Sequence, residues 1–187
     1  FINNSLLNNL GLFSNQIEII EYYAFVNCAN LVILILDENK MRALNKRTLA
    51  GLTSLNDLYL ESNQIEYIED ESFGDLKSLS SLHLSRNQLR IVSKDAFKGL
   101  NNLFYLSLSQ NQIEFIDQDA FKHLEKLFGV QMAKNRIKAI HKQNSLFQLE
   151  KLEYLEINHN PIVQYEAGSF DYITNKEIKL FFLYKSF

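Results

Sequence analysis

The chain has 187 residues, 47% apolar and 12% aromatic, with a formal charge of −3, one Cys, one Pro, six Gly and no Trp. That apolar content excludes a disordered chain, and the longest apolar run, Leu31 to Leu36, is far short of the roughly 20 residues of a membrane-spanning helix. A single Cys excludes an internal disulfide framework or a C-x-x-C metal site, and a pI near 5.8 argues against a dedicated nucleic-acid surface.

An excess of Leu, Phe and Asn remains to be explained, and internal repetition explains it. Asparagines two residues ahead of an aliphatic side chain stand at Asn15, Asn39, Asn63, Asn87, Asn111, Asn135 and Asn160, spaced by 24 residues five times and then by 25. Each closes the same phrase, as in Leu55-Asn-Asp-Leu58-Tyr-Leu60-Glu-Ser-Asn63-Gln-Ile65. Ten residues after most of them comes a Phe: Phe25, Phe73, Phe97, Phe121 and Phe170, with Leu49 in that place in the second repeat. In the sixth repeat an inserted residue moves Leu146 to eleven, which accounts for the spacing of 25. Three positions beyond this column stand Cys28, Leu52, Leu76, Leu100, Leu124, Leu149 and Ile173.

In chain order, each repeat predicts one short strand on its L-x-L segment, with Leu side chains inward and the x residues outward. Successive turns then align these strands in one parallel sheet. The alternation in Ile178-Lys-Leu180-Phe-Phe182 predicts an eighth strand. The Asn of each repeat sits at a tight turn, where a carboxamide both accepts and donates, and the seven are expected to stack as a buried ladder. The Phe column is expected as a second spine on the opposite side. Phe1 stands in the Phe25 register, so the chain reads as a piece that opens inside a repeat and lacks terminal caps.

These motifs resemble the leucine-rich repeat family, in its 24-residue typical class, over nearly the whole of residues 1–187. The resemblance implies an α/β solenoid, a horseshoe with a parallel sheet on its concave face and a mostly irregular or short-helical convex side. It implies a single solenoid of about seven repeats. The sequence itself carries no phosphate-cradling Gly loop, nucleophile elbow or convergent acid/base pair, so no enzyme activity is expected. It further implies an extracellular recognition module of the innate immune, receptor or adhesion kind, binding a protein, microbial or cell-surface ligand. An intracellular scaffold and the recognition part of a larger receptor or enzyme are the alternatives.

Residues that the solenoid does not constrain are the ones free to carry function. The concave positions include Phe13, Ile33, Ile35, Asp37, Asp57, Tyr59, Glu61, His83 and Tyr105. Apolar anchors with a charged rim are what a protein-binding hot spot requires, and the acidic rim predicts a ligand patch that is apolar with basic edges. The ordinary alternative is a sheet surface with a few apolar residues. Asn3 heads the only N-x-[ST] sequon and is the candidate glycosylation site. No cofactor, metal cluster or nucleic-acid partner is expected, since the four histidines fall at four different places in the repeat. Cys28 reads as a core residue.

Two columns follow each Asn on the flank. Glu18, Arg42, Glu66, Arg90, Glu114 and Lys138 alternate in sign and are expected to pair between neighbouring turns, each pair contributing about 0.2–1 kcal/mol. Ile19, Ala43, Tyr67, Ile91, Phe115 and Ala139 are apolar. Packing between turns is their simplest explanation, and an exposed stripe for association is the other.

Overall fold

The computed structural model describes residues 4–141, 144–165 and 179–180. Eight strands form one parallel sheet in sequence order: Asn9–Gly11, Ile33–Ile35, Asp57–Tyr59, Ser81–His83, Tyr105–Ser107, Gly129–Gln131, Tyr154–Glu156 and Lys179–Leu180. Register is in phase throughout, with Leu34 opposite Leu58, Leu58 opposite Leu82, Leu82 opposite Leu106 and Val130 opposite Leu155. The last strand pairs with Tyr154–Leu155, at the place the alternation predicts. Each strand is defined one residue earlier than L-x-L, but pairing runs on: Leu60 N–H donates to His83 O and Leu36 N–H to Tyr59 O, both at 2.9 Å.

The return side carries pairs of two-residue strands, Ala43–Leu44 with Tyr67–Ile68, Ile91–Val92 with Phe115–Ile116, and Ala139–Ile140 with Gln164–Tyr165. The rest of the described residues form turns and irregular segments, apart from one 3-10 segment, Ser145–Gln148, in the repeat with the insertion. Its N-cap Asn144 accepts Leu146 N–H at 3.0 Å, and Leu146 and Phe147 both fill the core there. Among the described residues no helix is long and apolar enough to cross a membrane.

A parallel sheet needs both faces of each strand covered or functional, and here only the inward face is packed. Leu34, Leu58, Leu82, Leu106 and Val130 have no solvent exposure. Opposite them runs the second spine, Phe25, Leu49, Phe73, Phe97 and Phe121. Phe97 lies between Phe73 at 6.4 Å and Phe121 at 5.9 Å between ring centroids. Cys28 is a buried free thiol in the adjoining column. Phe170 and Ile173, expected in these columns, lie outside the described residues.

Turns are tied together by side chain to backbone bonds rather than by amide to amide stacking. Asn63 Nδ2 donates back to Leu36 O at 2.9 Å while its Oδ1 accepts Met41 N–H at 3.1 Å, both one turn earlier. Asn39, Asn87, Asn111, Asn135 and Asn160 repeat this pattern. Asn15 differs from the expected buried rung: it is exposed and bonds only Leu12 O and Phe13 O of its own turn, because no earlier turn stands beneath it in the described structure. The residue before each Asn, Ser14, Glu38, Ser62, Arg86, Gln110, Lys134 and His159, has φ between 54° and 58°. None is Gly, so each carries the cost of a left-handed L-residue. Bonds such as Arg86 N–H to Ser109 O at 3.0 Å help hold this conformation.

The two flank columns depart from expectation. Ile19, Tyr67, Ile91 and Phe115 are 80%, 56%, 59% and 57% exposed, so packing between turns does not explain them. In Ala43–Leu44, Tyr67–Ile68, Ile91–Val92 and Phe115–Ile116 the second member is the more buried and the first the more exposed. The charged column forms no ion pair between its own rungs among the described residues. Glu114 reaches Arg136 at 3.3 Å instead, because exposed charges gain too little from one fixed neighbour to hold both side chains in place.

Candidate functional site

Alternation along each strand leaves the x residues on the outer face of the sheet, and the in-phase register lines them up in columns. Phe13 is 58% exposed, and its ring lies over Gly11, where an added Cβ would sit 3.7 Å from two ring atoms. Ile33 and Ile35 are half-buried on the next strand, followed by Asp57 and Tyr59 on the third.

From Tyr59 onward the structure joins residues that were only separate candidates in the sequence. The Tyr59 ring stacks on His83 at 4.5 Å with planes 8° apart, and His83 meets Tyr105 at 5.5 Å, tilted by 44°. One aromatic residue per turn thus makes a continuous row across three strands. Glu61 Oε1 stands 3.6 Å from His83 Nδ1, fixing the acidic edge of the row.

That edge is dense. Asp37 Oδ1 accepts Glu61 N–H at 2.6 Å, and Ser14 Oγ donates to Glu38 Oε2 at 2.6 Å. Burial pushes the Asp37 carboxyl up. The Glu61 amide opposes this, the Glu61 carboxylate adds to it, His83 opposes it and Glu38 adds again. Burial also raises the Tyr59 phenol, helped by Asp57, Asp37 and Glu61. Tyr105 rises for the same first reason, with Tyr154, Glu156 and Glu61 adding to it. All three shifts come from partly desolvated groups in a negative field, which favours a cationic neighbour.

Other features of this face have weak signals in the sequence. Gly129 gives Tyr105 its room, since a Cβ there would come within 3.2 Å of the Tyr105 ring. Beyond it, Ser107 Oγ donates to Gln131 Oε1 at 3.3 Å, Gln131 Nε2 to Tyr154 OH at 3.4 Å, and Tyr154 OH to Glu156 Oε2 at 3.2 Å. Ser85 and Ser107 share a short hydroxyl contact beneath this chain. The only hint in the sequence is that polar residues recur at strand x positions in every turn. Asn3 lies outside the described residues.

A leucine rich repeat family model matches residues 5–65, 53–113 and 105–162. The chain belongs to the leucine rich repeat family. No curated protein sequence matches it. Among solved structures, the TLR13 chain of a TLR13-ssRNA13 complex is similar to this leucine rich repeat chain with a TM-score of 0.79 and 30% identity, covering 90% of this chain and 23% of that one. The leucine-rich repeat domain of APL1B is similar in fold, with a TM-score of 0.72 and 24% identity over 85% of this chain and 46% of that one. This chain therefore spans under a quarter of the TLR13 chain and under half of the APL1B chain.

Proposed function

We propose that this leucine rich repeat chain is a protein-binding recognition module, and that its ligand docks on the concave sheet across Ile33, Ile35, Tyr59, His83 and Tyr105. The observation that carries this reading is the Tyr59–His83–Tyr105 row bordered by Asp37, Asp57 and Glu61. These side chains are half-buried and ordered against one another, so little rotamer entropy is lost when a partner covers them. The partner patch is apolar or aromatic with Lys or Arg at its edges. TLR13 in the structure compared above is in complex with RNA. Here the acidic row would repel a phosphate backbone, which supports a protein ligand instead. Likeness to TLR13 supports an extracellular, innate immune setting.

Selection of a displayed peptide library on the immobilised chain tests the proposal. Peptides rich in aromatic and basic residues are expected, with binding weakened at least tenfold by Ile33→Ser plus Tyr59→Ala and by raised salt. Acidic peptides, or binding indifferent to the double variant while the fold is intact, would sink it. A single-stranded RNA oligomer serves as the negative control, and tight RNA binding would also refute the reading.

A further inference from the structure

The flank columns are a second ordered surface, and folding uses neither. Glu18, Arg42, Glu66, Arg90, Glu114 and Lys138 are all exposed, and beside them run Ile19, Ala43, Tyr67, Ile91, Phe115 and Ala139, whose large members are exposed as well. Backbone pairing keeps the columns straight. Ala43 stands opposite Tyr67 and Ile91 opposite Phe115, while Glu66 N–H donates to Arg42 O and Glu114 N–H to Arg90 O, each at 2.9 Å.

We propose that this flank is the interface of a two-fold dimer of this chain, with the turns of the two copies antiparallel. A two-fold axis in the plane of contact, perpendicular to the columns, reverses the order of turns and leaves each column facing itself. With the axis between the turns of Glu66 and Arg90, Glu66 meets Arg90 of the second copy, Arg42 meets Glu114, and Glu18 meets Lys138. Every rung faces its opposite charge. An axis passing through a turn would put like charges together at every rung it pairs, and an axis moved by a whole turn would leave rungs unmatched. The alternation, whose rungs do not pair with one another among the described residues and of which Glu114 alone reaches a cation outside the column, Arg136, is therefore self-complementary between two chains, and one placement satisfies it fully.

Shape supports the same placement independently. It sets Tyr67 against Ile91, Phe115 against Ala43, and Ile19 against Ala139. At the two alanines the flank is hollow. A depression of about 300 Å³ is lined by Ile19, Arg42 and Ala43 among others, and one of about 140 Å³ by Phe115, Lys138 and Ala139 among others. A large exposed side chain of the second copy stands over each. Six turns about 4.8 Å apart make a strip roughly 24 Å long, at the small end of specific interfaces, so association in the micromolar range is expected.

Sedimentation velocity of the 187-residue chain through the micromolar range reads the dimer directly. Glu66→Arg or Arg90→Glu alone places like charges opposite each other twice, because the two-fold axis repeats every pair, and should weaken dimerisation about tenfold or more. Glu66→Arg together with Arg90→Glu restores opposite pairing and should return affinity to within about threefold of the parent. Ala43→Arg, which fills the larger depression, should weaken the dimer without lowering the thermal midpoint. A chain that stays monomeric throughout, as it would if the flank serves a different protein, overturns the proposal. So does a dimer indifferent to the single reversals, or a double exchange as weak as either single.

Discussion

Replacing Asn87 by Ala tests how one turn is tied to the next. Asn87 Oδ1 accepts Ile65 N–H at 2.9 Å, and Nδ2 donates to Leu60 O at 2.9 Å and Leu84 O at 3.1 Å. Both carbonyls keep another donor, since Leu60 O also takes Asn63 Nδ2 at 3.3 Å and Leu84 O takes Asn111 Nδ2 at 2.9 Å. Ile65 N–H has no second acceptor among the described residues. Leaving that buried donor unpaired costs about 1–3 kcal/mol, and the loss of one bond at each carbonyl adds about 0.5–1 kcal/mol, for a total of about 2–5 kcal/mol. Asn15→Ala, at an exposed site bonded only within its own turn, should cost less than about 1 kcal/mol. Urea unfolding gives both values from midpoint and slope, and a lowered slope would show that terminal turns come apart separately. An Asn87→Ala cost below about 1 kcal/mol, or equal to that of Asn15→Ala, refutes the account.

Gly51 has φ +90°, and a Cβ there would sit 2.6 Å from Val26 Cα and 2.8 Å from Val26 O, backbone that cannot step aside. Gly51→Ala should therefore cost about 2–4 kcal/mol and lower the thermal midpoint by several degrees, whereas Gly11→Ala, which meets only the Phe13 ring at 3.7 Å, should be near neutral. The raised Asp37 carboxyl favours folding below its ordinary 3.8, a contribution lost as pH rises through the folded value. Asp37→Asn retains Oδ1 for Glu61 N–H and should raise the thermal midpoint at neutral pH but not in acid. Glu71 behaves in the opposite sense. Lys46 and Lys98 hold its carboxyl at about 2, so its contribution is present above the ordinary 4.5 and lost as pH falls through about 2. Glu71→Gln should flatten the acid limb of a stability profile over that window.

The period of Asn63, Asn87 and Asn111 was enough to read the parallel sheet and its register. Each turn buries the same positions as its neighbour, and a shift by one residue would turn Leu58 outward and Tyr59 inward. The Phe spine was legible for the same reason. Tyr67 and Ile68 show where pattern reading stopped. Both are apolar, they adjoin a turn, and alternation alone does not say which of the two points in. Packing between turns is the simpler expectation for Tyr67, and the structure exposes it. Left-handed backbone at Ser62 and Arg86 was likewise invisible, because no Gly marks it.

Sequence by itself therefore determined the repeat, the stacking order and the identity of the core, since chemically equivalent apolar positions 24 residues apart can be buried together only in phase. Tertiary structure alone decided the surfaces. The side chains of Tyr59, His83 and Tyr105 meet because the sheet brings their strands side by side and Gly129 leaves the space beside Tyr105. Tyr67, Ile91 and Phe115 reach solvent because their short return strands turn the second residue, and not the first, toward the core. The direction of a side chain depends on the bend of its own turn and on the turn beside it, and neither is written in the spacing of residues along the chain.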